Sequence, residues 1–316
     1  MMRGNLQPNN RKAMLCSTVA AAVLCATAAF APAHADDAAP AADPSALKFS
    51  GLIDTGVYAN TNSGSVNPGH LFTDKHDKVV LNQAMLTAEK DLDPKATGYD
   101  WGFKAQGFYG TDARYTHFIG LFDHNTNDRM QFDITEANLL AHTPWLTQGG
   151  IDIKVGAYST PIGYEVIQAS SNPLYSHSYI FNYGLPLKHT GALTTTHVND
   201  MLDVWLGVDS GINTTYTQRG QTNGRVSGIA GLGFNNLLDG KLTILALSHF
   251  GPTDAEARID QTNGNVKASH YGKYINDVVL TYKPDDLWTW VTEVNFTKDD
   301  LLSARAFGLA QYGTYQ

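Results

Sequence analysis

The chain has little cysteine and little charge. Its only two cysteines, Cys16 and Cys25, both lie in an apolar N-terminal stretch of the 316 residues. The rest of the sequence therefore offers no disulfide and no cysteine ligand for a metal. Charged residues make up only 16% of the chain, and the net charge of −8 argues against a nucleic-acid-binding surface. No uncharged apolar run after residue 36 is long enough for a membrane-spanning helix.

The N-terminus has the pattern of an export signal. Basic residues precede an uncharged apolar stretch at 13–30, and Ala-His-Ala at 33–35 supplies a small-residue cleavage site. The basic residues are Arg3, Arg11 and Lys12. We therefore expect a cleaved signal peptide at 1–35, although the apolar length alone would also allow an uncleaved anchor. Residues 36–46 are low in complexity and are predicted to form a disordered periplasmic lead-in.

Glycine and aromatic residues are abundant by contrast. The chain has 29 glycines, its aromatic content is 10%, and its mean hydropathy is only −0.23. This combination is typical of strands that turn one face to lipid and the other to water.

From residue 47 onward the sequence is a succession of predicted strands. Apolar and polar side chains alternate with period two most clearly at 151–158, 202–209 and 288–296. We predict strands at 47–59, 79–91, 99–112, 128–142, 150–160, 187–198, 201–213, 226–235, 240–251, 271–284, 287–298 and 304–316.

The predicted connections alternate between long and short. Long loops fall at 60–78, 113–127, 161–186, 214–225 and 252–270, and turns rich in Asp, Asn, Gly and Pro separate them. A soluble β-sandwich has no reason to keep its long loops at one end, whereas an up-and-down outer-membrane barrel does. The fold class we predict is all-β, a transmembrane antiparallel up-and-down β-barrel over 47–316. We expect about 12 strands in this chain and about 16 in a complete barrel.

Four segments resemble the β-barrel porin-2 (OmpL-like) family of Gram-negative outer-membrane proteins. They are NQAMLTAEKDLDPKATGYDWGFKAQGFYGTDARYTH from Asn82, NPLYSHSYIFNYGLPLKHTG from Asn172, DGKLTILALSHFGP from Asp239 and INDVVLTYKP from Ile275. The resemblance covers most of 47–316 and implies an outer-membrane barrel that acts as a porin. It supplies no catalytic residue and no cofactor. The chain ends at Gln316 without a terminal aromatic residue, so we expect further C-terminal strands to be missing.

The third long loop, at 160–186, is the candidate constriction of the pore. It is rich in aromatic residues and carries a single charged side chain. Loops of this position commonly fold into the lumen of porins. We expect its constriction to be lined by Glu165, Tyr175, His177 and Tyr179.

Polar positions of the alternating strands are the candidate lining of the lumen. A basic residue that faces lipid near the midplane costs about 2–4 kcal/mol, so charged strand residues are expected to point inward. The candidates are Lys104, Gln106, Asp152, Lys154, Asp203, Asp209, Asp277, Lys283, Glu293 and Asn295. They predict a mixed, net-acidic lumen.

No enzyme signature stands out. The histidines lack zinc-site spacing, and we predict no catalytic residue, no metal site and no cofactor. The expected partners are outer-membrane lipid and small polar or ionic solutes; a homotrimer is a candidate assembly, but the sequence does not determine the oligomeric state. Two other functions stay open at this stage: a non-conducting structural or adhesive barrel, and an exported soluble β-sandwich that binds ligands.

Overall fold

The fold is described from a computed structural model, for residues 46–59, 67, 69–119, 121–122, 129–215, 224–253 and 268–315. The predicted signal peptide, all but the last residue of the lead-in and parts of four predicted loops lie outside the described residues. Within them, no helix has the length and apolar character needed to cross a membrane.

Twelve strands form where the sequence predicts them, and each predicted strand overlaps one observed strand. They are β1 (Lys48–Val57), β2 (Val79–Lys90), β3 (Asp100–Gly110), β4 (Gln131–Thr143), β5 (Ile151–Ser159), β6 (Lys188–Asn199), β7 (Leu202–Asp209), β8 (Ser227–Asn236), β9 (Leu242–Gly251), β10 (Lys273–Tyr282), β11 (Trp288–Asp299) and β12 (Ala304–Tyr315). The all-β fold class is confirmed.

The strands form a single antiparallel sheet in chain order. Each strand pairs with the next one along the sequence, from β1 at one edge of the sheet to β12 at the other. The helical segments are single turns: an α-helix at Ala113–Thr116, a 3₁₀-helix at Ala169–Ser171, a π-helix at Ile180–Gly184, a turn at Leu237–Gly240 and a 3₁₀-helix at Ala268–His270. This topology is the up-and-down arrangement that the alternating connections predict.

The strand registers divide the side chains between two faces: one is apolar and exposed, and the other carries the charged side chains together with buried apolar ones such as Leu193, Ile229 and Leu247. On β7, Leu206 and Val208 point to one side and are 56% and 53% exposed. Asp209 points to the opposite side and pairs with Gly191 and Ser227, which share its face. The face that carries Asp209 is called the inner face here, because the loop between β5 and β6 packs against it.

The strand predicted at 128–142 does not alternate in sequence because its pairing is irregular. Gln106 pairs with Glu136 and the next residue, Gly107, pairs with Ile134, so Thr135 has no cross-strand partner. Such a bulge changes which face the following side chains occupy. Thr135 is buried at the bulge, and its hydroxyl donates to the side-chain oxygen of Gln106 over 2.8 Å.

Strand β12 lacks clear alternation for a different reason. Its inner positions carry only small residues near the middle of the strand, namely Ala306, Gly308 and Ala310, whereas Phe307 and Leu309 point outward and are exposed. A Cβ atom on Gly308 would lie 2.6 Å from Cγ1 of Ile180. The inner side of β12 is therefore small because the loop between β5 and β6 occupies the adjacent space.

The end of the sheet with the short turns carries exposed aromatic rings. Trp101, Trp145 and Trp288 are 61%, 54% and 38% exposed, and the indole of Trp145 donates to the Tyr99 hydroxyl over 2.9 Å. Trp288 stacks on Trp290 with ring centroids 5.5 Å apart. Amphipathic rings in this position are typical of the aromatic girdle of a membrane barrel.

Close packing of β2 against β3 yields a test of the sheet. A Cβ atom added at Gly110 would lie 1.9 Å from the backbone oxygen of Asn82, whereas one at Gly51 would meet nothing closer than 3.6 Å. Gly110→Ala should therefore lower the free energy of unfolding by about 1–3 kcal/mol. Gly51→Ala is the matched control and should leave it nearly unchanged. Equal denaturation midpoints for the two variants in detergent would contradict this packing.

Candidate functional site

The loop between β5 and β6, residues 160–187, is bound to the inner side of β2 and β3. The side-chain nitrogen of Gln83 donates to the Ile167 carbonyl over 2.7 Å, and the backbone nitrogen of Ala169 donates back to the Gln83 oxygen over 3.1 Å. Gln106 on β3 donates to the side-chain oxygen of Gln168 over 3.0 Å. Gln83 and Gln106 are buried, so these bonds form in a site with little access to water.

The same loop is also bound to β11 and β12, at the other end of the strand order. The backbone nitrogen of Tyr164 donates to the Glu293 carboxylate over 3.1 Å, and the ring of Tyr164 lies 4.8 Å from that of Tyr312. The side chains of Asn295 and Thr297 approach the Gly184 carbonyl at 3.4 and 3.3 Å. Because one loop touches strands from both ends of the sheet order, the sheet curls around it.

Glu165 stabilises the loop through contacts with other residues of the same loop. Its carboxylate is buried, accepts a hydrogen bond from the backbone nitrogen of Ser178 over 2.8 Å, and lies 3.4 Å from Nδ1 of His177. Burial alone would raise the pKa of Glu165, but hydrogen bonds from His177 and Ser178 outweigh burial and lower that pKa. The Glu165 carboxylate is thus directed into the loop.

Of the other three predicted constriction residues, two are accessible tyrosines and one is a histidine packed within the loop. Tyr175 is 37% exposed, and its hydroxyl donates to the Asn82 side-chain oxygen over 3.0 Å. Tyr179 is 62% exposed and its ring lies 6.3 Å from that of Tyr183. His177 stacks on Phe181 at 4.1 Å and packs within the loop. The two tyrosines are accessible, whereas His177 and Glu165 maintain the shape of the loop.

All the strand positions proposed as lining residues share the inner face, with Lys283 as the exception. Direct cross-strand partners lie on the same face, and the registers connect these positions from strand to strand. They are Lys104, Gln106, Asp152, Lys154, Asp203, Asp209, Asp277, Glu293 and Asn295. Lys283 lies one residue beyond the end of β10, is exposed, and donates its backbone nitrogen to the Lys241 carbonyl.

Charges on the inner face are unevenly distributed. Lys104 on β3 pairs with Glu89 at 3.2 Å, and Asp152 on β5 accepts from His142 over 2.7 Å. Asp277 and Glu293 on β10 and β11 are buried and form no ion pair within the described part of the chain. Asp277 accepts instead from Asn295 over 3.0 Å. The part of the inner face formed by β10 and β11 is therefore the more acidic one.

A cavity of about 250 Å³ lies between the loop and β1, β2 and the segment after β3. Its polar lining comprises Asp54, Asn82, Asp112, Asn172, Tyr175 and His177. Burial raises the pKa of Asp112, although Gln83 and Asn82 donate to its carboxylate over 3.0 and 3.1 Å. Sequence reasoning missed Asp54 and Asp112 because the cavity is assembled from segments far apart in the chain.

A partly buried cluster of charges joins the loops at the same end of the sheet. Arg114 and Arg129 each donate two hydrogen bonds to the Asp74 carboxylate, at 3.2 and 3.0 Å respectively. Burial opposes ionisation of Asp74, but the bonds from Arg129 and Arg114 lower its pKa from 3.8 to about 2. This cluster holds together the connection between β1 and β2 and the connection between β3 and β4.

Comparison with known proteins identifies the family of the chain. Residues 46–316 match the family described as "Putative beta-barrel porin-2, OmpL-like". The chain belongs to this family. No curated protein matches the chain. Among solved structures, it is similar to an anion-selective porin from Comamonas acidovorans, with 11% identity over 84% of this chain and 82% of that one and a TM-score of 0.40.

Membership of the porin-2 family indicates the general role of the sheet. The protein is a porin of the outer membrane, and its strands are those of a membrane β-barrel. Exposed apolar side chains such as Leu206 and Phe307 lie opposite the inner face, on the side of the strands where outer-membrane barrels in general meet lipid.

The lipid-facing assignment can be tested on β7 and a neighbouring turn. Leu206→Arg should lower the free energy of unfolding in lipid vesicles by about 2–4 kcal/mol, because a guanidinium in the hydrocarbon region is poorly solvated. Leu238→Arg is the control, since Leu238 is 64% exposed in the short turn between β8 and β9. Equal losses of stability in the two variants would contradict the assignment.

The Asp74 cluster can be tested by proteolysis. Asp74→Asn removes the charge that pairs with Arg114 and Arg129, at a cost of about 1–2 kcal/mol, or a factor of roughly 5–30 in local opening. Trypsin should then cut after these two arginines correspondingly faster. Asp77→Asn is the control, because Asp77 is 60% exposed and bonds only to the adjacent His76 among the described side chains. Unchanged cleavage in Asp74→Asn would contradict the role of the cluster.

The same cluster predicts a pH dependence. Because the pKa of Asp74 is lowered to about 2, its contribution to stability is complete above its ordinary pKa of 3.8 and is lost as the pH falls through about 2. Amide exchange at 113–117, corrected for its intrinsic rate, should change little from pH 7 to pH 4 and rise only below that. A rise centred near pH 6 would contradict the assignment.

Proposed function

We propose that the protein is a passive diffusion channel for small polar or ionic solutes, lined by the inner face and narrowed by loop 160–186. The observation that carries this proposal is the set of hydrogen bonds from the loop to Gln83 on β2 and to Glu293 on β11. Bonds from one loop to strands at both ends of the sheet order support a position of the loop across the interior. A solute that moves along the inner face therefore has to pass the loop.

The inner face supports a net-acidic lumen with a mild preference for cations. Its partly exposed carboxylates include Asp54 and Asp203, whereas Asp277 and Glu293 are buried and Lys104 is engaged by Glu89. Rings of carboxylates raise the local concentration of cations, and a low-dielectric wall strengthens their field. The lining residues proposed from the sequence are part of this proposal, with Lys283 placed at the rim and Asp209 buried behind the surface.

The constriction would be polar and aromatic. Tyr175 and Tyr179 are the accessible members of the predicted set, and each is held by a neighbour, Tyr175 by Asn82 and Tyr179 by the ring of Tyr183. Glu165 and His177 would act indirectly, since they bond to each other inside the loop. Such a narrowing selects by size and hydrogen bonding more than by charge.

One observation favours a second candidate, a non-conducting structural or adhesive barrel. The loop has bonds to β2, β3, β11 and β12, and its aromatic and aliphatic side chains pack on Phe72, Met85 and Phe108. A loop fixed on so many sides could fill the interior completely. Conductance separates the two candidates.

The decisive experiment is recording in planar bilayers. The full-length protein, purified from outer membranes in detergent, should produce discrete conductance steps, and a salt gradient should give a reversal potential of the sign expected for a mild cation preference. An absence of conductance in a preparation shown to be folded would contradict the channel proposal.

The role of the loop is tested in the same recordings. The double variant Tyr175→Ala, Tyr179→Ala should raise the single-channel conductance, because it removes two accessible rings from the proposed constriction. Tyr274→Ala is the matched control, since Tyr274 lies on the outer side of β10 and is 41% exposed. Equal conductance in all three proteins would contradict the constriction. A silent wild type with a conducting double variant would favour the structural candidate.

A further inference from the structure

Three fully buried side chains meet at the end of the sheet that carries the long loops. His189 lies on β6, Asp209 ends β7, and His249 lies on β9, and each is 0% exposed. One candidate ligand atom from each residue lies within 4.8 Å of those of the other two. None of the short-range histidine patterns in the sequence predicts this cluster, because its members come from three different strands.

The distances within the cluster suit a small metal ion. The Asp209 atom Oδ2 lies 3.0 Å from Nε2 of His249 and 3.3 Å from Nδ1 of His189. Ligands of a tetrahedral zinc ion, each at about 2.0–2.1 Å from the metal, are separated from one another by about 3.3 Å. The two separations that involve Asp209 are within a few tenths of an ångström of that value, whereas the candidate ligand nitrogens of His189 and His249 lie within 4.8 Å of each other and would approach on binding.

The hydrogen bonding of the His189 ring nitrogens also favours a bound cation. Nδ1 of His189 is buried, forms no hydrogen bond within the described part of the chain, and points at the Asp209 carboxylate. The other nitrogen of the same ring, Nε2, lies 3.0 Å from the Thr160 hydroxyl. In the tautomer in which Nε2 donates its proton there, Nδ1 presents a lone pair toward the Asp209 carboxylate, and a cation between the two would satisfy both groups.

We propose that His189, Asp209 and His249 bind a divalent transition-metal ion of the Zn²⁺ type. Two imidazoles and one carboxylate are ligands that Zn²⁺ accepts readily, and three protein ligands leave one tetrahedral position for water. The surroundings are polar enough to orient the ligands: the backbone nitrogen of Gly211 donates to Oδ1 of Asp209 over 2.6 Å, and Thr160 orients His189.

The ion would stabilise the structure and take no part in transport. It would connect β6, β7 and β9 at one point, and through Thr160 it would fix the start of loop 160–187, whose first residue bonds to His189. A buried metal with protein ligands from several strands contributes directly to the stability of the fold. This inference goes beyond the proposed function and does not depend on conductance.

Metal titration tests the proposal. The full-length protein in detergent is treated with chelator, dialysed and titrated with Zn²⁺ by calorimetry, and in parallel with Co²⁺, whose visible absorption is intense in tetrahedral sites. The result expected is about one equivalent per chain, a tetrahedral Co²⁺ spectrum and a higher unfolding temperature with Zn²⁺. No binding, or binding with no change in unfolding temperature, would overturn the proposal.

Variants identify the ligands. His249→Gln and Asp209→Asn should each weaken Zn²⁺ binding by at least about tenfold. The matched control is His197→Gln, because His197 also bonds to two aspartates, Asp152 and Asp203, yet is half-buried at the opposite end of the sheet. Binding lost in His197→Gln but kept in His249→Gln would overturn the assignment.

A second measurement covers variants that fail to fold. X-ray absorption at the zinc edge of the wild-type protein should show nitrogen and oxygen ligands at about 2.0–2.1 Å with the multiple-scattering signal of two imidazoles. A shell of oxygen ligands alone, without imidazole scattering, would contradict the site.

Discussion

The hydrogen-bonded register of neighbouring strands is the constraint on which the structure depends. Because side chains alternate between the two faces of a strand, a shift of one residue would turn every carboxylate of the inner face toward lipid. Strand β7 illustrates the balance, with Leu206 and Val208 on the outer side and Asp203 and Asp209 on the inner side. The pairing of twelve consecutive strands carries this division across the sheet, and everything proposed about transport follows from it.

The loop between β5 and β6 depends on that division in turn. Its polar contacts, to Gln83 and Glu293 among others, exist only because these side chains point inward from their strands. The loop also restricts which residues fit on the sheet: β12 has a glycine at position 308, where the Ile180 side chain lies close to the strand. The sheet and the loop are thus complementary in shape, and under the proposed function the space between them determines which solutes can pass.

The sequence predicts the sheet well and the site only in part. Alternation and turn residues suffice to locate all twelve strands, because both are local properties of the chain. The bulge opposite Gln106 could not be predicted, since it depends on the pairing of two strands. The positions of the site residues could not be predicted for the same reason. The Glu165 carboxylate points into its own loop, and Asp209 contacts His249, which lies 40 residues further along the chain. Lys283 was placed in a strand because the predicted strand ran two residues too far.

Cysteine labelling along β7 tests whether the inner face lines a water-filled path. Cys16 and Cys25 are the only cysteines of the chain, so replacing both by serine gives a clean background. Single cysteines are then placed at 203, 204 and 206 and treated with a charged, membrane-impermeant thiol reagent in lipid vesicles. Reaction at 203 but not at 204 and 206 is the predicted result. Equal reactivity at all three positions, or reaction only at 204 and 206, would contradict it.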